Sequence, residues 1–193
     1  FNEPNERQKM TYNLKWTEGN AKLVKTSGES YRVLGFGLPA DYNFDGGNTC
    51  PGAGACRGVC YAKQGRYLMA NVRDARMHNF NVSQGAGFAA AAIADLQRLT
   101  KRYNVVRVHD SGDFYSQEYV NAWKSIARPF PATIFYAYTK SLHLDIASDC
   151  PSNLRIVQSL GGVYDNLLNL AAPHSRIFST DRKSTRLNSS HIP

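Results

Sequence analysis

The sequence predicts an α/β fold, a partial (β/α) barrel with a mostly parallel sheet, truncated at its C-terminus. Short β-branched and aromatic runs alternate with helical patterns along residues 31–180. Right-handed crossovers would curl five such strands into a barrel or an open α/β sheet. Each run also ends in polar residues at its C-terminal edge, where ligand chemistry gathers in a parallel barrel.

Residues 1–30 are polar and irregular, with Pro4, Gly19 and Gly28, and read as a leader with a short hairpin. YRVLGFGLP (31–39) is a strand that ends at Pro39, followed by the Gly-rich loop DYNFDGGNTCPGAGAC. From Cys60 to about Phe80 the pattern is helical and rich in Arg, Met and Ala. In 87–103, Phe88, Ala92, Leu96, Leu99 and Tyr103 recur at steps of three and four, which predicts a helix. VVRVHD (105–110) is the next strand, turning at Ser111-Gly112. Ser116 caps a helix with Glu118 in its first turn and Val120, Trp123 and Ala127 on one side; Pro129 and Pro131 close it. TIFYAYT (133–139) is a strand, then comes a short irregular helix. LRIVQSL (154–160) is a strand, 163–172 a helix and SRIFST (175–180) a last strand.

Residues 181–191 read DRKSTRLNSSH, the translation of a widely used sequencing-adapter oligonucleotide, so 181–193 are set aside as an artefact. The chain also opens at Phe1 rather than Met. The expected organisation is a polar leader (1–30), one incomplete domain (31–180) and the tail (181–193). The net charge is +8; Arg182, Lys183 and Arg186 against Asp181 contribute +2 of it, which leaves +6. That balance permits nucleic acid as a partner, but no block of five like charges demands it. No run approaches the ~20 apolar residues of a membrane span. Cysteines are few and clustered, as suits a reducing cytoplasm.

Three of the four cysteines, Cys50, Cys56 and Cys60, lie in TCPGAGACRGVCYA (49–62), spaced C-x5-C-x3-C. Gly52, Gly54 and Gly58 would let this backbone fold tightly enough for the sulfurs to point at one centre. A disulfide leaves one thiol over, and a structural zinc site wants paired short spacings that are absent here. Three thiolates could instead hold three corners of an iron–sulfur cluster and leave one iron open. Zinc stays as the alternative metal. Cys150, in SDCPSN, precedes a strand and would sit at the opposite face.

FGLPA (36–40), TCPGAGAC with GVCYAKQGR (49–66), VRVHDSGDFYSQEYVNAW (106–123) and FYAYTKS (135–141) together resemble the bacteriophage gene product 88 family. The resemblance covers most of 31–180 and implies a phage protein of the host-cell cytoplasm. A cysteine loop after the first strand and a Gly-acid turn after the second also resemble the radical S-adenosylmethionine (SAM) enzymes. That resemblance implies a [4Fe-4S] cluster on Cys50, Cys56 and Cys60, SAM on its open iron, and Ser111, Gly112 and Asp113 in the turn that contacts the SAM amino group. The strand ends His109, Tyr138, Lys140 and Gln158 would then line the pocket of an unknown substrate.

Two other readings stand beside this one. A metal-stabilised phage accessory protein, holding zinc or an iron–sulfur cluster, would bind nucleic acid without catalysis. A metal-dependent hydrolase would use His109 and Asp113. Arg66, Arg73 and Arg76, on the helix after the loop, could face phosphate or simply solvent.

Overall fold

Two-residue alternation sends one set of side chains in each strand toward the helices and the other set to the opposite face. The computed structural model describes residues 13–18 and 31–176. Its strands are β1 (Thr17–Glu18), β2 (Val33–Phe36), β3 (Asn43–Phe44), β4 (Gly47–Asn48), β5 (Val105–Val108), β6 (Ile134–Thr139), β7 (Leu154–Ser159) and β8 (His174–Ser175). The α-helices are α1 (Ala70–Ser83), α2 (Phe88–Leu99) and α3 (Gln117–Ala127). The main sheet runs β1-β2-β5-β6-β7-β8, and β3-β4 form a separate hairpin. From β2 to β8 every pairing is parallel, while β1 is antiparallel to β2. The fold is therefore mixed α/β with a mostly parallel sheet.

Leu34, Phe36, Val106, Val108, Phe135, Ala137 and Leu154 point to the helix side and are buried there with Phe88, Leu96, Val120 and Trp123. Trp123 is fully buried at the centre. Its ring lies 5.3 Å from Phe36, 5.8 Å from Phe88 and 6.4 Å from Trp16. A Trp→Ala cavity here would cost roughly 3–5 kcal/mol. Leu14 and Trp16, from the segment read as a polar leader, join this core. On the opposite face Val33, Val105 and Tyr136 form a smaller cluster with Tyr31, Ile134 and Tyr138.

The helical stripes of α2 and α3 form as their spacing predicts. Ser116 accepts from the Tyr119 amide at 3.2 Å, so α3 starts at its sequence-predicted cap. Four segments differ from expectation. The stretch from Cys60 is broken into 3-10 turns at Tyr61–Lys63 and Gly65–Leu68 before α1 begins, with Gln64 extended and Gly65 at φ 55°. No helix forms over 141–150, where Asp145 accepts from the Ser148 and Ala147 amides. Of the helix expected over 163–172 only the 3-10 turn Asp165–Leu167 exists. There Asp165 accepts from the Gly161 and Gly162 amides and Asn169 from the Ala171 amide, and such local bonds compete with a helix. The strand read to 110 stops at Val108 because His109 takes φ 67°. The expected end of the last strand, the tail 181–193 and most of the leader lie outside the described residues.

One amide ties α3 to the strands beside it. Asn153 Nδ2 donates to the carbonyls of Ala127, Phe130 and Thr133 at 2.9, 2.8 and 3.1 Å. Asn153→Ala is expected to cost roughly 1–3 kcal/mol, the usual toll for unsatisfied buried polar groups. Asn153→Asp should cost more, because a carboxylate would face three carbonyl oxygens. Urea unfolding of the three proteins checks the order; an Asp variant as stable as the wild type would refute the assignment.

Candidate functional site

The cysteine loop lies across the C-terminal ends of the parallel strands. At β5 the Asp113 amide donates to the Thr49 carbonyl at 2.8 Å. At β6 the loop passes so close that a Cβ on Gly52 would stand 2.0 Å from the Lys140 carbonyl oxygen. Beyond β7, Ala53 pairs antiparallel with Gly162, and the Val163 amide donates to Gly52 at 3.1 Å. A Cβ on Gly54 would meet the Gly161 carbonyl at 2.7 Å. Gly52 and Gly54 thus serve a backbone crossing, which the sequence reading had assigned to thiol convergence. Gly58 has no such neighbour: the nearest atom to its Cβ would be the Ala55 carbonyl at 3.9 Å.

All four cysteines are free thiols, each half-buried. Cys50 Sγ accepts from the Asp41 amide at 3.3 Å. Burial pushes the Cys50 thiol up to about 12, and the Asp113, Asp41 and Cys60 charges push the same way. Cys56 lies in the 3-10 turn Ala55–Arg57 between them. Asp41, at φ 50°, braces the loop through Arg57 at 2.5 Å, Lys63 at 2.7 Å and Asn48 at 3.1 Å. Burial raises the Asp41 carboxyl, but the Lys63 hydrogen bond and the Arg57 charge outweigh it and hold the group below the usual range. Nothing in the sequence marks Asp41 for this role. Cys150 stands apart, ahead of β7, with its thiol donating to the Leu154 carbonyl at 3.3 Å. Among the described residues, no three His, Cys, Asp or Glu side chains are gathered closely enough to hold a metal ion.

The Ser111-Gly112-Asp113 turn is bonded to the protein itself. Ser111 Oγ donates to the Leu38 carbonyl at 2.6 Å and accepts from Arg76 Nε at 2.7 Å. Gly112 sits at φ 80°, and a Cβ there would meet Leu38 Cβ at 2.7 Å. Asp113 Oδ1 accepts from the Phe114 amide and the Thr139 hydroxyl at 2.7 and 2.6 Å; Oδ2 accepts from the Lys140 amide at 2.8 Å. Burial pushes this carboxyl up to about 6, against the donors that pull it down.

The expected pocket residues are not gathered in one place. His109 packs on the helix side, 4.8 Å from the Phe114 ring and 5.5 Å from Tyr119, with Nε2 3.0 Å from the Tyr119 hydroxyl. Burial, aided by the Arg107 charge, pushes its imidazole down to about 3, so it is neutral at physiological pH. Lys140 Nζ donates to Ser159 Oγ at 2.8 Å and to the Leu160 carbonyl. Gln158 clamps the Asn169 backbone, donating at 2.8 Å and accepting at 2.9 Å. Tyr138 lies half-buried on the opposite face, its ring 6.3 Å from Tyr136.

Beside the loop, Asp110 gathers three side chains. Arg76 pairs with its Oδ2 at 2.5 Å and stacks 4.5 Å over the Tyr67 ring. The Tyr67 hydroxyl donates to the same oxygen at 3.4 Å, and Tyr61 donates to the Asp110 carbonyl. A Cβ on Gly37 would stand 2.0 Å from Asp110 Oδ1, so glycine makes room for this carboxylate. Arg76 is thus taken by an internal pair, while Arg66 and Arg73 are exposed.

Two expectations follow. Gly52→Ala should undock the loop and cost roughly 2 kcal/mol or more, whereas Gly58→Ala should be within about 0.5 kcal/mol of wild type. Thermal unfolding with limited proteolysis of the loop separates them, and equal effects would sink the crossing argument. The raised Asp113 carboxyl holds its proton in the folded state after the unfolded chain has lost it. Its contribution is therefore complete below about pH 4 and lost as pH rises to about 6, a fall of about 3 kcal/mol. The stability difference between wild type and Asp113→Asn should shrink over that window in urea titrations; a difference independent of pH would contradict it.

The sequence matches the family described as "Gene product 88" over residues 12–189. The Gene 88 protein of Mycobacterium phage L5 is 32% identical over 115 residues, covering 54% of this chain and 46% of that protein. The Gene 88 protein of Mycobacterium phage D29 is 32% identical over 114 residues, with the same shares. The match therefore spans about half the length of these curated relatives. No solved structure matches. With the family matched from the leader through the cysteine loop to the last strand, the chain belongs to the Gene product 88 family.

Proposed function

We propose that this chain is an iron–sulfur protein of radical-SAM-like type, with Cys50, Cys56 and Cys60 as ligands of a [4Fe-4S] cluster and the sheet as part of a (β/α) barrel. The observation that carries the reading is the placement of three free thiols in one loop that crosses the C-terminal ends of successive parallel strands. That is the edge on which barrel proteins carry out their chemistry. The barrel is supported by the strand order: β2, β5, β6, β7 and β8 neighbour one another in chain order. A doubly wound sheet would reverse direction partway.

The donor set fits such a centre in its chemistry. Each of the three is a free thiol, and the Asp41 amide already directs a hydrogen bond at Cys50 sulfur. Hydrogen bonds to ligating sulfur tune clusters of this kind. Burial keeps Cys50 protonated in its absence, and a coordinating thiol gives up that proton. Cys56 lies in the 3-10 turn Ala55–Arg57, and Cys60, next to exposed Val59, caps the 3-10 turn Tyr61–Lys63. When bound, the reduced cluster would supply the electron for cleaving SAM. The chain's own residues would position it: Asp41 braces the loop and Asp113 pins its base.

The hydrolase reading has less support, because the His109 ring lies in the aromatic core and the Asp113 oxygens already hold three donors. Iron and acid-labile sulfide should be measured on protein purified without oxygen. About four of each per chain is expected, lost in Cys56→Ala but retained in Cys150→Ala. One zinc without sulfide would replace this reading with that of a metal-stabilised accessory protein. Absence of both would refute a metal centre.

A further inference from the structure

The parallel register aligns Gly35, Arg107, Tyr136 and Arg155 in one row across four adjacent strands. Their neighbours Leu34, Val106, Phe135 and Leu154 belong to the helix-side core, so the row faces the opposite side with Val33, Val105 and Tyr136. Arg107 and Arg155 flank Tyr136 on either side, two strand spacings or about 10 Å apart in the backbone. Both arginines are half-buried. Neither takes part in an ion pair among the described residues. Arg107 Nε is buried and has no hydrogen-bond partner.

No carboxylate pairs with Arg107 among the described residues. Asp110, whose charge is felt together with that of Arg107 at Tyr61 and Tyr67, pairs with Arg76 through Oδ2, and its Oδ1 is buried without a hydrogen-bond partner. The register sets Arg107 beside Tyr136 on the neighbouring strand, and its charge partly offsets the rise that burial causes in the Tyr136 hydroxyl. The same balance at Tyr61, directly after Cys60, links Arg107 to the cysteine loop. A buried guanidinium nitrogen without an acceptor is costly, and the guanidinium fork matches two oxygens of a carboxylate or phosphate.

We propose that Arg107 and Arg155 form an anion site on the sheet face opposite the described helices, for a small molecule bearing a carboxylate or phosphate. Tyr136 and Tyr138 supply the aromatic floor for the rest of that molecule. The recess of Arg107 Nε favours a terminal anionic group over the backbone of a duplex. The site deepens the reading of the cysteine loop by naming a ligand class for the same sheet, yet binding at it requires no metal.

Calorimetric titration of the full chain with inorganic phosphate, pyrophosphate and succinate tests it. Saturable binding of at least one is expected, and which one distinguishes phosphate from carboxylate. Arg107→Ala and Arg155→Ala should each weaken it roughly tenfold or more. Arg107→Lys, which keeps the charge but not the fork, should fall between. Cys56→Ala should bind like the wild type, so the anion site and the metal centre can fail separately. Circular dichroism confirms that each variant is folded, and Arg155→Ala carries the test if Arg107→Ala is not. No saturable binding, binding that folded Arg155→Ala leaves unchanged, or tighter binding of a single-stranded oligonucleotide than of every small anion would overturn the proposal.

Discussion

The Asp113 carboxylate is the constraint on which this sheet edge depends. Its oxygens take the Phe114 amide, the Thr139 hydroxyl and the Lys140 amide, so one side chain joins the end of β5 to the end of β6. Its own amide holds Thr49, at the base of the cysteine loop. Removing an anion from water is expensive, and burial does raise this carboxyl. What keeps the arrangement viable is that the donors are largely backbone amides fixed in place, which need no further ordering to meet the charge. Loosening this one group would free two strand ends and the loop together.

The loop above it is shaped by contact distances. A side chain at Gly52 has no room over the Lys140 carbonyl, and one at Gly54 has none against Gly161. These two glycines therefore carry the backbone from the end of β6 past β7, with Cys50 before the crossing and Cys56 and Cys60 beyond it. Cys50 is fixed close to the crossing, half-buried and hydrogen-bonded. Cys56 and Cys60 come after it, in turns where exposed residues dominate. The three thiols are alike in being half-buried, but their surroundings differ along the loop.

The parallel strands, α2 and α3 were legible because each is specified by its own neighbours: apolar period, Ser116 as cap, prolines as stops. The helix over 163–172 was not, because Asp165 and Asn169 bond to nearby backbone instead, and composition alone does not reveal that choice. The cysteine loop stands out in the sequence, but the packing role of its glycines does not. Gly52 answers to Lys140, which lies 88 residues later, and no local pattern encodes that distance in space. His109 shows the limit most clearly. Strand alternation would place it opposite Val108, but φ 67° turns it under α3 into the aromatic core.

The two faces of the sheet solve different problems. On the helix side, Phe114, Tyr119 and Trp123 pack around His109, whose imidazole stays neutral because that environment cannot stabilise a cation. Arg107 begins only two residues earlier in the same strand, yet its always-charged guanidinium cannot neutralise itself in this way. Placed on the helix-side face it would be an unpaired cation among rings; placed opposite, it lies in register with Tyr136 on the face away from the described helices. The residue type therefore sorts with the face, and the positive φ at His109 is what allows consecutive polar residues at the end of β5 to be divided between them. An arginine within VVRV and another within LRIV are consequently positions where strand sequence and packing disagree, as happens at functional or strained sites.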